Sequence, residues 1–457
     1  MRANSPKSLS AFAPRSLGVA RNSRIAIIGG GVSGITAAYA LMKRGYRCVS
    51  LFEGNTRIGG KVESVQVDDQ TIELGAYFAM RDNETLIRMA KEVGILRLLP
   101  GRHRFQIVVQ KSDGSRASFP LESYWGNYST LDVIRGLVAF IWAIRRPAFH
   151  KLFRPGFYDF HPDLTSLTMV EFANKYGFSS VLEPFHNVGY ACGYGAVKEH
   201  AALYSLKLMQ FMERVRRRRF LSCGLHPGLW MYDGGFQMVW EGIISRLVSD
   251  GLTLRLGSQV TAVERKTMRD GHIQISITSN DSVDNFDALI VATPPEQTLA
   301  YLDATVEERD LFNKVHEFDF HTIVFRARGL NENDWISLRY NMGRHRYGRV
   351  FTFYGGRTGS GLFTGYYLSE GQIAPEEVDQ NLAEDLSSLG GTLESVALRR
   401  SWRYFPHVKL TEISEGYYAK LNSLQGKRNT FFVGALFAIE TTEHCAEFAE
   451  YLVDKHF

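Results

Sequence analysis

Cysteine is scarce. Four are present in 457 residues, Cys48, Cys192, Cys223 and Cys445, and no two form a C-x-x-C pair. Their scatter excludes a zinc ribbon or a disulfide framework and fits a reducing compartment. Long apolar runs are missing too. The stretch from Leu137 to Ile144 falls far short of the ~20 residues that a membrane-spanning helix needs. The net charge is only +5, which gives no case for nucleic acid. It leaves an anionic small molecule as the expected partner, with peripheral membrane contact as a further reading; the oligomeric state is unknown. Acidic residues are absent from the first 24 positions, which hold Arg2, Lys7, Arg15, Arg21 and Arg24. Residues 1–22 therefore read as an organellar transit peptide or a basic tail, and the expected location is cytoplasmic or organellar rather than secreted. No paired carboxylates, nucleophile triad or metal-ligand grouping stands at meaningful spacing, so no metal is expected.

What is present is concentrated between Ser23 and Lys61. Arg24 to Ile28 is a short apolar run suited to a buried parallel strand. Gly29, Gly31 and Gly34 follow as G-x-G-x-x-G, and Ile35, Ala38, Leu41 and Met42 then recur at helical spacing. Gly45 is a plausible stop, and Arg47 to Phe52 reads as a second strand ending on Glu53. In that context Gly29 allows the tight turn, Gly31 lets the backbone approach a pyrophosphate, and Gly34 lets helix and strand pack closely. The helix N-terminus offers N–H groups and a positive dipole end to phosphate. Glu53 stands where a carboxylate accepts from ribose hydroxyls. The spacing predicts a dinucleotide site.

Arg57-Ile58-Gly59-Gly60-Lys61 adds a second glycine pair and a basic residue. This resembles the flavoproteins of the amine oxidase and phytoene desaturase superfamily. Glu73-Leu74-Gly75-Ala76 resembles the superfamily segment that lies against the isoalloxazine ring, where glycine avoids a collision. Val260 falls where that superfamily contacts the adenine side through its backbone.

Further along, Val62 to Val67 with Thr71 to Leu74 reads as a hairpin, and Asn83 to Val93 as a helix. From about Pro100 to Trp230 the pattern turns aromatic and basic, as an inserted substrate domain would. Pro184 to Gly195 reads as a turn-rich aromatic stretch, His200 to Met212 as a helix, and Arg214 to Arg219 as a basic cluster, either solvated or facing anionic headgroups. Asp233-Gly234-Gly235 marks a return to the nucleotide domain. Strands are expected within Leu252 to Val263, at Phe286 to Thr293, Thr322 to Ala327, Arg349 to Phe353 and Thr430 to Val433, and a helix at Thr442 to Val453. The aromatic content of 12% fits a large apolar cavity or plain core.

The strings SWRYFPHV from Ser401, LNSLQGKRNTFFVGALF from Leu421, EFAEYLV from Glu447 and LIVATPPEQTLAYLDAT from Leu289 are similar to flavin-dependent polyunsaturated fatty acid isomerases. So are Gly193-Tyr194-Gly195 and Leu229-Trp230. The resemblance implies an α/β fold with a Rossmann-like FAD-binding domain, at 23–99, 232–300 and 398–457. An inserted α+β substrate domain would occupy 100–231 and 301–397. It implies noncovalent FAD held by Gly29, Gly31, Gly34, Glu53, Arg57, Gly59, Gly60, Lys61, Gly75, Ala76, Val260, Trp402 and Gly434. The implied activity moves a double bond by hydride abstraction and return at flavin N5, with an oxidase or dehydrogenase of a lipophilic substrate as the alternative. Candidate substrate contacts are Arg104, Tyr194, Phe220, Trp230, Tyr404, Phe405 and His407, with Arg104 as the expected carboxylate anchor and Arg102 a weaker candidate. Three departures stand out. No lysine occupies Phe320 to Phe325, where many amine oxidases hold a water at N5; no cysteine lies near Trp402 to Val408 for covalent attachment; and Ala435 replaces the acid that usually follows the glycine.

Overall fold

Strand β1 (Ile25–Ile28) is buried along its whole length. The turn at Gly29 leads into α1 (Val32–Lys43), and the chain returns as β2 (Val49–Phe52), parallel to β1. The full sheet is parallel and five-stranded, in the order Thr253–Arg255, β2, β1, Ala288–Val291, Thr430–Phe432. Branched apolar residues such as Ile25, Ile27, Leu289 and Ile290 fill β1 and its neighbour, as a sheet covered on both faces requires. Gly34 explains how tightly α1 packs: a Cβ there would stand 1.9 Å from the Gly29 carbonyl oxygen.

The computed structural model describes residues 19–77, 79–80, 83–94, 98–100, 103–111, 113–120, 126, 128–208, 229–232, 234–280, 282–356 and 358–457. Most of the basic N-terminal segment, Arg102, Arg214 to Arg219 and Phe220 lie outside the described residues, as does the side chain of Trp230.

The second unit carries helices on a seven-stranded sheet. Two of its helices matter most, α2 (Thr130–Ile144) and α3 (Leu182–Ala191). Its longest strands are β3 (His316–Arg328) and β4 (Thr392–His407), with β4 at one edge, and the order is β4, β3, Leu362–Ser369, Thr352–Gly355, Asp334–Leu338, Arg104–Gln110, Arg116–Pro120. All neighbours are antiparallel except Asp334–Leu338 with Arg104–Gln110. Helix α4 (Thr442–His456) belongs to the first unit, and Ser33 of α1 donates to its Cys445 carbonyl.

Two expectations are corrected, and one boundary is placed. The segment from Pro184 is helical rather than turn-rich, because proline is tolerated in the first turn, where its missing N–H has no partner to lose. The strand expected at Arg349 to Phe353 forms at Thr352–Gly355. The boundary at 397/398 falls inside β4, which pairs with β3 over its whole length. The helix expected from His200 is described over Ala202–Leu208. No helix among the described residues is long and apolar enough to cross a membrane.

Candidate active site

A single cavity of about 1340 Å³ runs from the β1–α1 turn to the helices of the second unit. That exceeds the roughly 300–1,000 Å³ of ordinary ligand sites and leaves room for a dinucleotide and a second ligand.

The nucleotide end is built by the sheet. Gly29, Gly31, Glu53 and Val260 line it, while Gly34 sits behind the turn. A Cβ at Gly31 would meet nothing nearer than Gly60 Cα at 3.8 Å, so the protein itself does not demand glycine there; a closely approaching ligand does. Gly31 also caps α1 without a side-chain bond, leaving the helix N-terminus open to an anion. Glu53 Oε2 accepts from the Gly30 N–H at 2.7 Å. Its Oε1 accepts from the Asn55 N–H at 2.8 Å and from Nδ2 of the same residue at 2.7 Å. The carboxylate is thus fixed at the cavity wall with lone pairs remaining for ribose.

The middle section joins the two units. Gly59, Gly60, Lys61, Gly75, Ala76, Trp402, Gly434 and Ala435 all line it. Arg57 clamps the glycine loop by donating to the Gly60 carbonyl at 2.9 Å and the Val62 carbonyl at 3.2 Å. Trp402 donates through Nε1 to the Leu74 carbonyl at 2.7 Å, between the cations of Arg57 and Arg400 at 6.0 and 5.0 Å from its ring. Gly75 has a structural reason of its own: a Cβ there would stand 1.8 Å from the Lys61 carbonyl oxygen.

The far end is aromatic. Tyr77, Trp335, Phe320, Tyr366, Tyr404 and Tyr194 line it. Phe320 stacks on Tyr366 at 5.3 Å, and Tyr77 stacks on Tyr366 at 6.0 Å. Burial pushes the hydroxyls of Tyr77, Tyr194, Tyr366 and Tyr404 well above their usual 10, and the Cys192 thiol up to about 12. All stay protonated at neutral pH.

Two candidates lie behind this wall. Phe405 and His407 are absent from the lining. Between His316 and Phe318 of β3 the pairing slips, a β-bulge in β4, and Phe405 takes φ +54° there. His407 Nδ1 pairs with the Phe405 carbonyl oxygen at 2.8 Å, and burial lowers the ring's pKa to about 4. Arg104 does not line the cavity either. Its guanidinium is exposed and paired with Asp334 at 2.8 Å, whereas Phe105 and Ile107 reach the cavity. Gln106 lines the cavity as well, so the ion pair with Asp334 on the neighbouring strand, rather than strand alternation alone, holds Arg104 outward. Trp230 is placed only by its backbone, in the strand Leu229–Tyr232.

Three lining residues escaped the sequence reading. Glu440 is the junction of the site: its carboxylate takes Lys61 Nζ and the Phe405 N–H, and its carbonyl accepts from Tyr194 Oη at 2.6 Å and Tyr404 Oη at 3.3 Å. Lys61 is therefore neutralised. Glu317 Oε1 is buried with no hydrogen-bond partner, and burial raises its carboxyl. It gives a ligand's hydroxyls an acceptor although Ala435 offers none. Asn187 of α3 is 1% exposed, lines the cavity, and neither its Oδ1 nor its Nδ2 has a partner. No local motif marks any of the three. Open glycines, an ungrouped acceptor and an anchored ribose acid together fit a bound dinucleotide.

The comparisons agree with that geometry. The FAD-dependent oxidoreductase dpasF of Apiospora sacchari is 21% identical, over 92% of this chain and 89% of that protein. The polyenoic fatty acid isomerase of Ptilota filicina is 23% identical over 53% of this chain and 51% of that protein. The crystal structure of the CLA-producing fatty acid isomerase from P. acnes shares the fold, with a TM-score of 0.84 at 23% identity, covering 96% of this chain and 100% of that one. FAD is the cofactor and the protein is a flavoenzyme with an amine oxidase-like fold. A family model matches residues 32–435, and the chain belongs to the flavin containing amine oxidoreductases.

Proposed function

We propose that the enzyme shifts carbon–carbon double bonds along a lipophilic, polyunsaturated substrate without net oxidation. The observation that carries this reading is the aromatic end of the cofactor cavity, whose walls are ring faces, while the unpartnered Glu317 oxygen elsewhere in the lining is taken up by the cofactor's hydroxyls. Lys61 is tied to Glu440, the tyrosines and Cys192 stay protonated, and His407 lies behind the wall. Such a chamber suits removal of hydride better than removal of a proton.

FAD bound along the glycine turns supplies the hydride acceptor and donor. The chain supplies the rest. Phe320, Tyr366 and Tyr404 offer ring faces that attract the positive charge developing on an allylic carbon. The apolar wall formed with Leu137, Phe140 and Phe185 excludes water that would trap it. Burial of the chain along that wall aligns the reacting carbon, which must come within ~3–3.5 Å of its hydride acceptor.

The polar end of the substrate is read by Asn187 rather than by Arg104. A carboxamide both donates and accepts, so it suits a neutral hydroxyl, carbonyl or protonated acid. The names of several relatives favour a second outcome, in which the electrons leave the site as in an oxidoreductase.

The test uses a polyene deuterated at its allylic positions, incubated in air. Deuterium retained at a new carbon, with product mass unchanged and no oxygen uptake, is expected. Loss of two hydrogen masses with matching peroxide would overturn the isomerase reading in favour of the oxidase.

A further inference from the structure

We propose that the outward face of α2 docks the enzyme on anionic lipid bilayers. Leu131, Ile134, Val138 and Trp142 are 54%, 53%, 50% and 75% exposed. Their spacing gathers them within an arc of about 80° on the helix surface. Single exposed apolar residues are ordinary, but a continuous stripe ending in tryptophan is not. The opposite face is accounted for. Val133, Phe140, Ala143 and Ile144 are buried, and Leu137 and Phe140 form part of the cavity wall.

Charge around the stripe selects the occupant. Between positions 128 and 154 the chain carries Arg135, Arg145, Arg146, Lys151 and Arg154, against Asp132 as the only acid. Asp132 is itself engaged in the capping box with Ser129 at the helix start. Arg135 borders the stripe on the helix, and Arg145 and Arg146 close its end. Arg146 also covers the Tyr176 ring at 4.7 Å, which holds it at this end. A second copy of the chain would set these cations against one another across a two-fold axis. An anionic headgroup layer meets both features: it neutralises the arginines while the stripe enters the acyl boundary. A helix of this kind lies in the interface plane and does not span it. The wall of the substrate cavity would then rest directly against the phase in which lipophilic substrates dissolve. The surface stands independently of which reaction the cavity performs.

The experiment is sedimentation of the full-length holoenzyme with vesicles. Phosphatidylcholine mixed with phosphatidylglycerol is compared with phosphatidylcholine alone, at low and high salt. Binding at least tenfold stronger to the mixed vesicles, weakened by salt, is expected. The combined variant Ile134→Ser, Val138→Ser, Trp142→Ser should lose at least tenfold of that binding while keeping its flavin spectrum and elution volume. In the wild type, brominated acyl chains should quench part of the tryptophan emission, and Trp142→Phe alone should remove that part. Equal vesicle binding by wild type and triple variant overturns the proposal, as does failure of the wild type to bind mixed vesicles. A wild-type dimer that the triple variant dissociates would also overturn it, assigning the stripe to a second copy.

Discussion

Glu53→Gln probes the cofactor site at its most defined bond. The wild-type carboxylate accepts three N–H groups, one from Gly30 on Oε2 and two from Asn55 on Oε1. Glutamine keeps the size and one acceptor. With its carbonyl toward Asn55, its NH2 faces the Gly30 N–H, donor against donor. With the opposite orientation it faces two donors, so the first is adopted. At least one charge-assisted bond is removed, worth ~1.5–3 kcal/mol. Gly30 lies in the turn that receives the pyrophosphate, so part of this loss appears in cofactor affinity and part in the apo fold. The FAD dissociation constant should rise on the order of tenfold, about 1.4 kcal/mol. The apo melting temperature should fall by a few degrees. Titration of apoprotein followed by flavin fluorescence gives the first quantity and calorimetry the second. Unchanged FAD affinity together with an unchanged apo melting temperature would refute the reasoning, because the three bonds would then carry no energy.

Two further outcomes follow from buried groups. Burial pushes the Glu73 carboxyl up to about 7 from 4.5, outweighing the bonds donated by Ser64 Oγ and the Phe236 N–H. The folded protein thus holds a proton that the unfolded chain releases as pH passes from 4.5 to 7, so this group lowers stability progressively as pH rises through that window. Glu73→Gln should remove on the order of 3 kcal/mol of that pH dependence, read as melting curves against pH; parallel curves for both proteins would remove Glu73 as the cause. Asn187→Leu should stabilise the apo protein by ~1–3 kcal/mol, since two unpartnered polar atoms leave the interior. It should also lower kcat/KM for substrates with a polar end by about tenfold while sparing hydrocarbons of equal length; a lower melting temperature would show that Asn187 is satisfied after all.

The cofactor end of the molecule was legible because its determinants are local. Strand, glycine turn, helix and Glu53 follow one another within thirty residues of chain, and each obeys a short-range rule. The substrate end was legible only in part, through Tyr194 and Tyr404, and for a physical reason. Glu440 acquires its role by meeting Lys61, 379 positions earlier, and no spacing encodes that. Arg104 looked like an anchor because a basic residue in the right segment says nothing about its tertiary partner; the ion pair with Asp334, 230 positions later, holds it outward. His407 and Phe405 stand in a distinctive string, yet the bulge at Phe405 swings both behind the lining. Asn187 sits on a helix that the proline at 184 disguised.

The five-stranded sheet brings together segments far apart along the chain, and this sets a timetable. As the polypeptide leaves the ribosome, β1 and β2 appear early, but the flanking strands Ala288–Val291 and Thr430–Phe432 arrive hundreds of residues later. Until then β1 has one unpaired, wholly apolar edge, the kind of surface that invites mispairing and holds chaperones. Gly434, on the far wall of the cofactor cavity, is translated later still. FAD capture therefore waits until the segment that carries Gly434 has been made. In cells short of flavin the chains would lack the stabilisation that the bound cofactor gives the folded state and would be more exposed to proteolysis, so the supply of the vitamin would govern the abundance of the enzyme as well as its activity.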